Sequence, residues 1–413
     1  MSPLSSCALP RSAGSIAALQ RRVLRRCSAA LLACAIAAAG SWADPAAAAA
    51  ARRAQPPLAT GAATDAQGRV WAVTLDAPGR LCVRHTVDLG ANWSAPQCPD
   101  IGADPVSVSG DSRPKIAFSG DGRQAAVAYT KPLSRPYTGE VRMLRSDDGG
   151  RSWSAPFTVH ADRQTIAHRF EAIVFDAAGN LHVWWIDKRD VEGTREPGAS
   201  VFRSVALAGQ STFGPDTRVA RRSCECCRIA LVADGEAGVA ALWRHVFEGS
   251  QRDHAFARAG ASLTEAVTPT RATFDRWRIE ACPHHGPGLA RAAGGGYHAV
   301  WFGERDGEAS ARYARLDARG NPQGKARALP DPQAEHADVG ALGSRVAIAW
   351  RSFDGHRTRL RAWLSIDDGA TFTLREIAST EGAGDHPKLL VSGGRILVVW
   401  RTDTEIRIER LDD

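Results

Sequence analysis

Apolar and polar positions alternate along this chain in short runs, and one such pattern recurs seven times. Each copy is a short apolar strand, a Gly-containing turn and a second strand that usually ends in Trp or another aromatic. The copies read PLATGAATDAQGRVWAVTLD, RPKIAFSGDGRQAAVAYT, RFEAIVFDAAGNLHVWWID, CRIALVADGEAGVAALWR, HGPGLARAAGGGYHAVWF, HADVGALGSRVAIAWR and HPKLLVSGGRILVVWR. They start roughly 50 to 60 residues apart, the period of β-propeller blades. Period-2 alternation bounded by Gly- and Asp-rich turns predicts strands, and no stretch beyond the N-terminal segment has helical periodicity. The pattern predicts an all-β chain, a single β-propeller of four-stranded blades over 57–413. Seven blades are favoured, or six if the first or last copy is only a closing segment. The last copy ends in EIRIERLDD without an outer strand, which residues near Gln55 could supply.

The N-terminal 43 residues break this pattern. They hold five arginines (Arg11, Arg21, Arg22, Arg25, Arg26), no acid, an Ala/Leu-rich run from Cys27 to Gly40 and then SWADP. Basic, then apolar, then small residues predict a secretory signal peptide over 1–43, cut near Ala43, followed by a disordered Ala/Arg/Pro-rich linker over 44–56. The apolar run is too short to span a membrane. QRRVLRR also carries a faint twin-arginine pattern and LLAC a faint lipoprotein box. The expectation is an exported, periplasmic or secreted monomer with no membrane span.

Removing that segment changes the charge. The formal net charge is +7, and without the five arginines the chain stands at only about +2, so neither nucleic acid nor a membrane surface is an expected partner. Three of the nine cysteines leave with it, and Cys82, Cys98, Cys224, Cys226, Cys227 and Cys282 remain. In an oxidising compartment an even number makes disulfides the default. Cys82 and Cys98 flank a turn on what should be paired strands of one hairpin, so they are expected to bond.

A second motif follows the third strand of several copies. It reads TVDLGANWSAP, SDDGGRSWSAP and SIDDGATFT, through Thr86, Asp88, Gly90, Trp93; Ser146, Asp148, Gly150, Trp153; and Ser365, Asp367, Gly369, Phe372. This resembles the Asp-box (BNR) repeat of the sialidase-like propellers, and with the blade pattern the resemblance covers about residues 57 to 413. The Asp should cap a tight turn, the Gly take the left-handed position and the ring pack on the sheet. In the family the box lies on the face opposite the ligand, so these residues speak for the fold rather than the chemistry.

The residues just before each inner strand should line the channel mouth. Arg113, His168, Arg169, His336 and His386 are the expected ligand-binding positions, and four of seven copies put His there. SCECCRIAL and ACPHHGPGLA add Cys224, Cys226, Cys227, Cys282, His284 and His285. These admit two disulfides between adjacent blades, a copper or zinc site, or a redox-active group. Strand alternation would put Cys224, Cys226 and Arg228 on one side and Cys227 on the other.

The sialidase resemblance implies an arginine clamp for a substrate carboxylate, a Tyr nucleophile assisted by Glu, and an Asp acid/base. Arg228, Arg351 and Arg401 are weak candidates for the clamp, and Glu171, Asp187 and Glu304 for paired carboxylates. The family's Arg-Ile-Pro signature is absent; SRPKIAF, with Arg113 before Pro114, is the nearest match. None of Tyr129, Tyr137, Tyr297 and Tyr313 lies where the nucleophile belongs. The sequence therefore favours a propeller that binds a small molecule, glycan or metal through a Cys/His/Arg ring, with copper or zinc the only cofactors in view. The alternative is a sialidase or other glycoside hydrolase acting on acidic glycans.

Overall fold

The computed structural model describes residues 58–76, 79–108 and 111–412, so the expected signal peptide and linker lie outside the described residues. Twenty-six strands and one 3-10 turn (Glu248–Ser250) make up the described chain. They form seven antiparallel meanders, one per sequence copy. The first is β1 (Gly61–Thr64), β2 (Val70–Leu75) and β3 (Leu81–Thr86). The second is β4 (Lys115–Phe118), β5 (Ala125–Pro132), β6 (Gly139–Ser146) and β7 (Phe157–Thr158). The third is β8 (His168–Phe175), β9 (Leu181–Asp187), β10 (Ala199–Ala206) and β11 (Thr217–Ser223). Then come β12 (Ala230–Ala233), β13 (Gly238–Arg244), β14 (His254–Gly260) and β15 (Thr270–Arg271). The fifth is β16 (Gly288–Arg291), β17 (Tyr297–Arg305), β18 (Glu308–Leu316) and β19 (Pro322–Ala328). The sixth is β20 (Glu335–Leu342), β21 (Arg345–Phe353), β22 (Thr358–Ser365) and β23 (Thr373–Thr380). The last is β24 (Lys388–Ser392), β25 (Arg395–Arg401) and β26 (Ile406–Arg410).

Blades one and seven have three strands among the described residues, and an isolated bridge between Val83 and Gln97 stands for a fourth in blade one. The Cys82–Cys98 disulfide lies beside that bridge. No described strand of one terminus completes the blade of the other. Closure comes from side chains instead. Seven apolar clusters fill the seven blade-to-blade interfaces, and the last joins Ala62, Val70 and Ala72 to Leu390, Val399 and Ile408. The Thr60 amide also donates to Asp385 Oδ2 at 2.7 Å. The chain is thus a seven-bladed β-propeller.

All three Asp-box turns share one hydrogen-bond pattern. The hydroxyls of Thr86, Ser146 and Ser365 donate to Asp88, Asp148 and Asp367 at 2.7 to 2.8 Å and accept from the amides of Gly90, Gly150 and Gly369. Each box follows a third strand, at the end remote from the start of the inner strands. Each also rests on the preceding blade. Trp93, Trp153 and Phe372 pack on the clusters of interfaces seven-one, one-two and five-six. Gly150 sits over the Trp71 ring at φ 86°, where a Cβ would come within 2.9 Å of it.

Candidate functional site

The inner strands and the segments before them converge on a cavity of about 170 Å³ lined by residues from all seven blades. Its wall carries four cationic side chains, Arg113, Lys115, Arg228 and Lys388, against one carboxylate, Asp338. Ile116, Ile173, Ile229 and Leu289 supply apolar surface between them.

Behind the wall the charges are tied together. Asp111 is fully buried and accepts from the Arg228 guanidinium at 3.1 Å, the Arg228 amide at 3.2 Å and the Gly286 amide at 2.7 Å. Burial opposes its charge, but Arg228 and His336 more than offset that and hold its carboxyl well below the usual range. Gly286 has no room for a side chain, since a Cβ there would lie 2.3 Å from Arg228 Cγ. Arg228 also donates to the carbonyls of Pro287 and Ala337. Arg113 pairs with Asp385 at 2.8 Å and donates to His386 Nδ1 at 2.7 Å. A guanidinium only donates, so that nitrogen accepts and the ring proton sits on Nε2.

Three imidazoles stack beside these groups. His285 lies 4.5 Å from His336, and His336 lies 3.4 Å from His386. Burial pushes all three below the ordinary histidine range, His285 to about 3, with neighbouring His336 and Arg113 adding to the effect on His285 and His386 respectively. They are neutral at neutral pH. Desolvation likewise pulls Lys115 down to about 8, against the attraction of Glu171.

Two groups of donors come close enough to share an ion: Cys224, Cys226, Cys227; and Asp111, His336, His386. In the second, Arg228 and Arg113 already occupy the carboxylate and one imidazole nitrogen, and their charges oppose a divalent cation. In the first, no guanidinium among the described residues is bonded to a donor atom, and the sulfurs face one another. Its sulfurs lie 3.5, 3.7 and 3.8 Å apart and all three side chains are buried.

Strand alternation does not describe this segment. Cys224–Ile229 precedes β12 and bends rather than extends, so Cys227 turns to the same point as Cys224 and Cys226. No disulfide joins any of these cysteines or Cys282, which is exposed and outside the cluster. His284 is exposed too, with a left-handed φ of 55°, and His285 turns inward to the imidazole stack. Of the six residues expected as metal ligands, the fold gathers three.

The remaining expected positions divide. Arg113, Arg228 and His386 line the cavity, and His336 stands directly behind it. Arg169 lies over the Phe170 ring, within electrostatic reach of Cys226. His168 is away from the mouth, buried between blades two and three, stacked on His160 at 3.9 Å and bonded to Gly139 O and Asp162. Arg351 donates to Gly384 O and pairs with Glu335, and Arg401 donates to Leu58 O. Neither joins Arg228 in a clamp. Glu171 accepts from Thr130 at 2.7 Å and faces Lys115 at 3.8 Å. Asp187 is held by Trp185 and Arg189, and Glu304 sits in β17 opposite Ala309, outside the cavity wall. Tyr129, Tyr297 and Tyr313 are buried, the last pushed by burial to about 12, and Tyr137 is exposed; no tyrosine lines the cavity. Asp111, Lys115 and Lys388 were not singled out from sequence. Asp111 stands two residues before Arg113, a faint signal in GDSRPKIAF.

No protein-family profile matches the chain, and no curated relative is found. Similar solved structures do exist. An ulvan lyase described as a new family of polysaccharide lyase superposes with TM-score 0.55 at 11% identity, covering 86% of this chain and 93% of that one. The α-L-arabinanase of Penicillium chrysogenum gives 0.50 at 11%, covering 76% and 94%. A Hadza microbial sialidase gives 0.48 at 10%, covering 83% and 76%. At such identities the likeness is one of fold alone, the β-propeller that this chain shares with the ulvan lyase and the arabinanase.

Proposed function

We propose that the central cavity binds an acidic saccharide through its carboxylate. The observation that carries this reading is the cavity wall, in which blades two, four and seven set four cations against the one carboxylate of blade six. Arg113 and Arg228 are anchored by internal acceptors and supply fixed positive potential. Lys115, which faces Glu171 at 3.8 Å and donates to Arg113 O, and Lys388, which pairs with Asp338 at 3.0 Å, are the more mobile cations that a ligand carboxylate would meet. The solved structures of similar fold include a polysaccharide lyase and an arabinanase complexed with arabinobiose, which supports a glycan as the ligand class. Export through the N-terminal segment would give the protein access to such glycans.

Calorimetric titration with oligogalacturonate, oligoglucuronate and sialyllactose tests this. Binding of at least one acidic ligand, weakened by salt and lowered about tenfold or more in the Lys115→Ala Lys388→Ala protein, is the expected result. Equal binding of a neutral oligosaccharide, or no binding of any acidic one, overturns it.

A second reading, cleavage of the bound acidic sugar, is favoured by the imidazole of His336 behind the cationic wall, which is neutral and so keeps one unprotonated ring nitrogen, whereas that of His386 is taken by Arg113. It is checked in the same samples by looking for unsaturated or hydrolysed product. The missing cavity tyrosine argues against the sialidase chemistry that the sequence resemblance implied.

A further inference from the structure

We infer that Cys224, Cys226 and Cys227 form a three-sulfur site for a single copper(I) ion, independent of the saccharide cavity. Sulfurs separated by 3.5, 3.7 and 3.8 Å make a nearly regular triangle. An ion at its centre would lie about 2.1 Å from each, and a displacement of under about 1 Å from the plane brings this to the ~2.3 Å of a metal–thiolate bond. The bend at Cys224–Ile229, not strand alternation, produces this convergence, and the ion pair of Lys188 with Glu225 anchors it from outside.

The number of donors selects the metal. Structural zinc is closed by four ligands, and among the described residues no fourth His, Cys, Asp or Glu donor completes the group. Water is excluded as a fourth ligand, because the thiols are packed in an apolar cluster with Phe170, Trp184, Ile229 and Trp243. Three thiolates in a dry pocket suit copper(I), which soft sulfur donors select.

A second observation points the same way. Arg244 is 1% exposed, its carbonyl accepts from the Cys224 amide, and its guanidinium donates to the carbonyls of Arg252, His285 and Phe302. Among the described residues it makes no ion pair with a carboxylate. A buried cation normally needs an anionic partner. Three thiolates around one copper(I) leave a net negative centre, and the Cys224 amide bonds at 2.9 Å to the backbone of the residue that carries this cation. Binding forms three copper–sulfur bonds and releases whatever thiol protons remain, with no change of oxidation state.

The test is anaerobic titration of the reduced protein with copper(I) against a chromophoric copper(I) chelator, followed by X-ray absorption. One copper per chain, retained against the chelator and bonded to three sulfurs, is expected. Cys226→Ala should weaken retention by about a hundredfold or more, since one of three bonds is lost, whereas Cys282→Ala should leave it unchanged. Circular dichroism of the Cys226→Ala protein shows whether it is folded, and the donor count in the unsubstituted protein stands whether or not it is. Loss of copper to the chelator, nitrogen or oxygen donors in place of sulfur, equal loss in Cys282→Ala, or zinc held as tightly with four donors would each overturn the assignment.

Discussion

Asp148 accepts from the hydroxyls of Ser152 and Ser146 and from the amides of Ser152 and Arg151. These bonds, that of the Ser152 hydroxyl first, draw its carboxyl down to about 2. A carboxyl lower in the folded than in the unfolded chain stabilises the fold above its ordinary value of 3.8, and that stabilisation is lost as pH falls towards 2. Asp148→Asn should therefore flatten the fall in urea midpoint between pH 4 and pH 2; an unchanged slope would remove the box carboxylate from acid unfolding. This residue was fully legible in the sequence, because the turn that employs it is local. The thiols were only half legible. Their identity and proximity along the chain were plain, but the side to which Cys227 points depended on a bend that alternation does not predict.

Among elements, the box turns act between blades. Gly150 combines a φ of 86° with contact on Trp71 of the blade before. Gly150→Ala should cost about 1 to 3 kcal/mol from backbone strain alone, and more if the indole must move, as read by chemical denaturation. The hairpin disulfide stabilises blade one differently. Cys82 and Cys98 close a loop with a sequence separation of 16, so replacing both with Ala should lower stability by about 3 kcal/mol. An effect near zero would mean that the Val83–Gln97 bridge alone holds the strand. The seven hairpins were readable because each carries its own period of two and its own turn. Which blades rest on which boxes was not, since that depends on the stacking of separate elements.

For the whole molecule, buried histidine sets the response to acid. His160, His245, His254, His285, His298 and His386 are all lowered, in each case first by burial. The unfolded chain takes up these protons below about pH 6.5 and the folded chain does not, so stability must fall as pH drops from there. Even two such groups would remove about 2 to 3 kcal/mol per pH unit. Thermal melts from pH 7 to pH 5 should show a steep fall, and a flat profile would contradict the burial of these rings. Ring closure adds a second expectation. Asp385 accepts from the Thr60 amide of blade one and from Arg113 of blade two, so Asp385→Ala takes an acceptor from both and should destabilise by about 1 to 3 kcal/mol, as read by chemical denaturation.

Blade number, strand order, box turns and the Cys82–Cys98 pairing could all be read from residues close in sequence, since hydrophobic alternation and turn chemistry act over a few positions. The hub could be read only as a roster. Arg228 meets Asp111 across 117 positions and Arg113 meets Asp385 across 272, and no local pattern records such a meeting. Closing the ring brings these groups together, and the irregular segments ahead of the inner strands aim them. Those segments made one site of Cys224, Cys226 and Cys227 and left Cys282 outside it. Their course is set by packing against neighbouring blades, so the folded ring was needed to show which of the candidate ligands face one another.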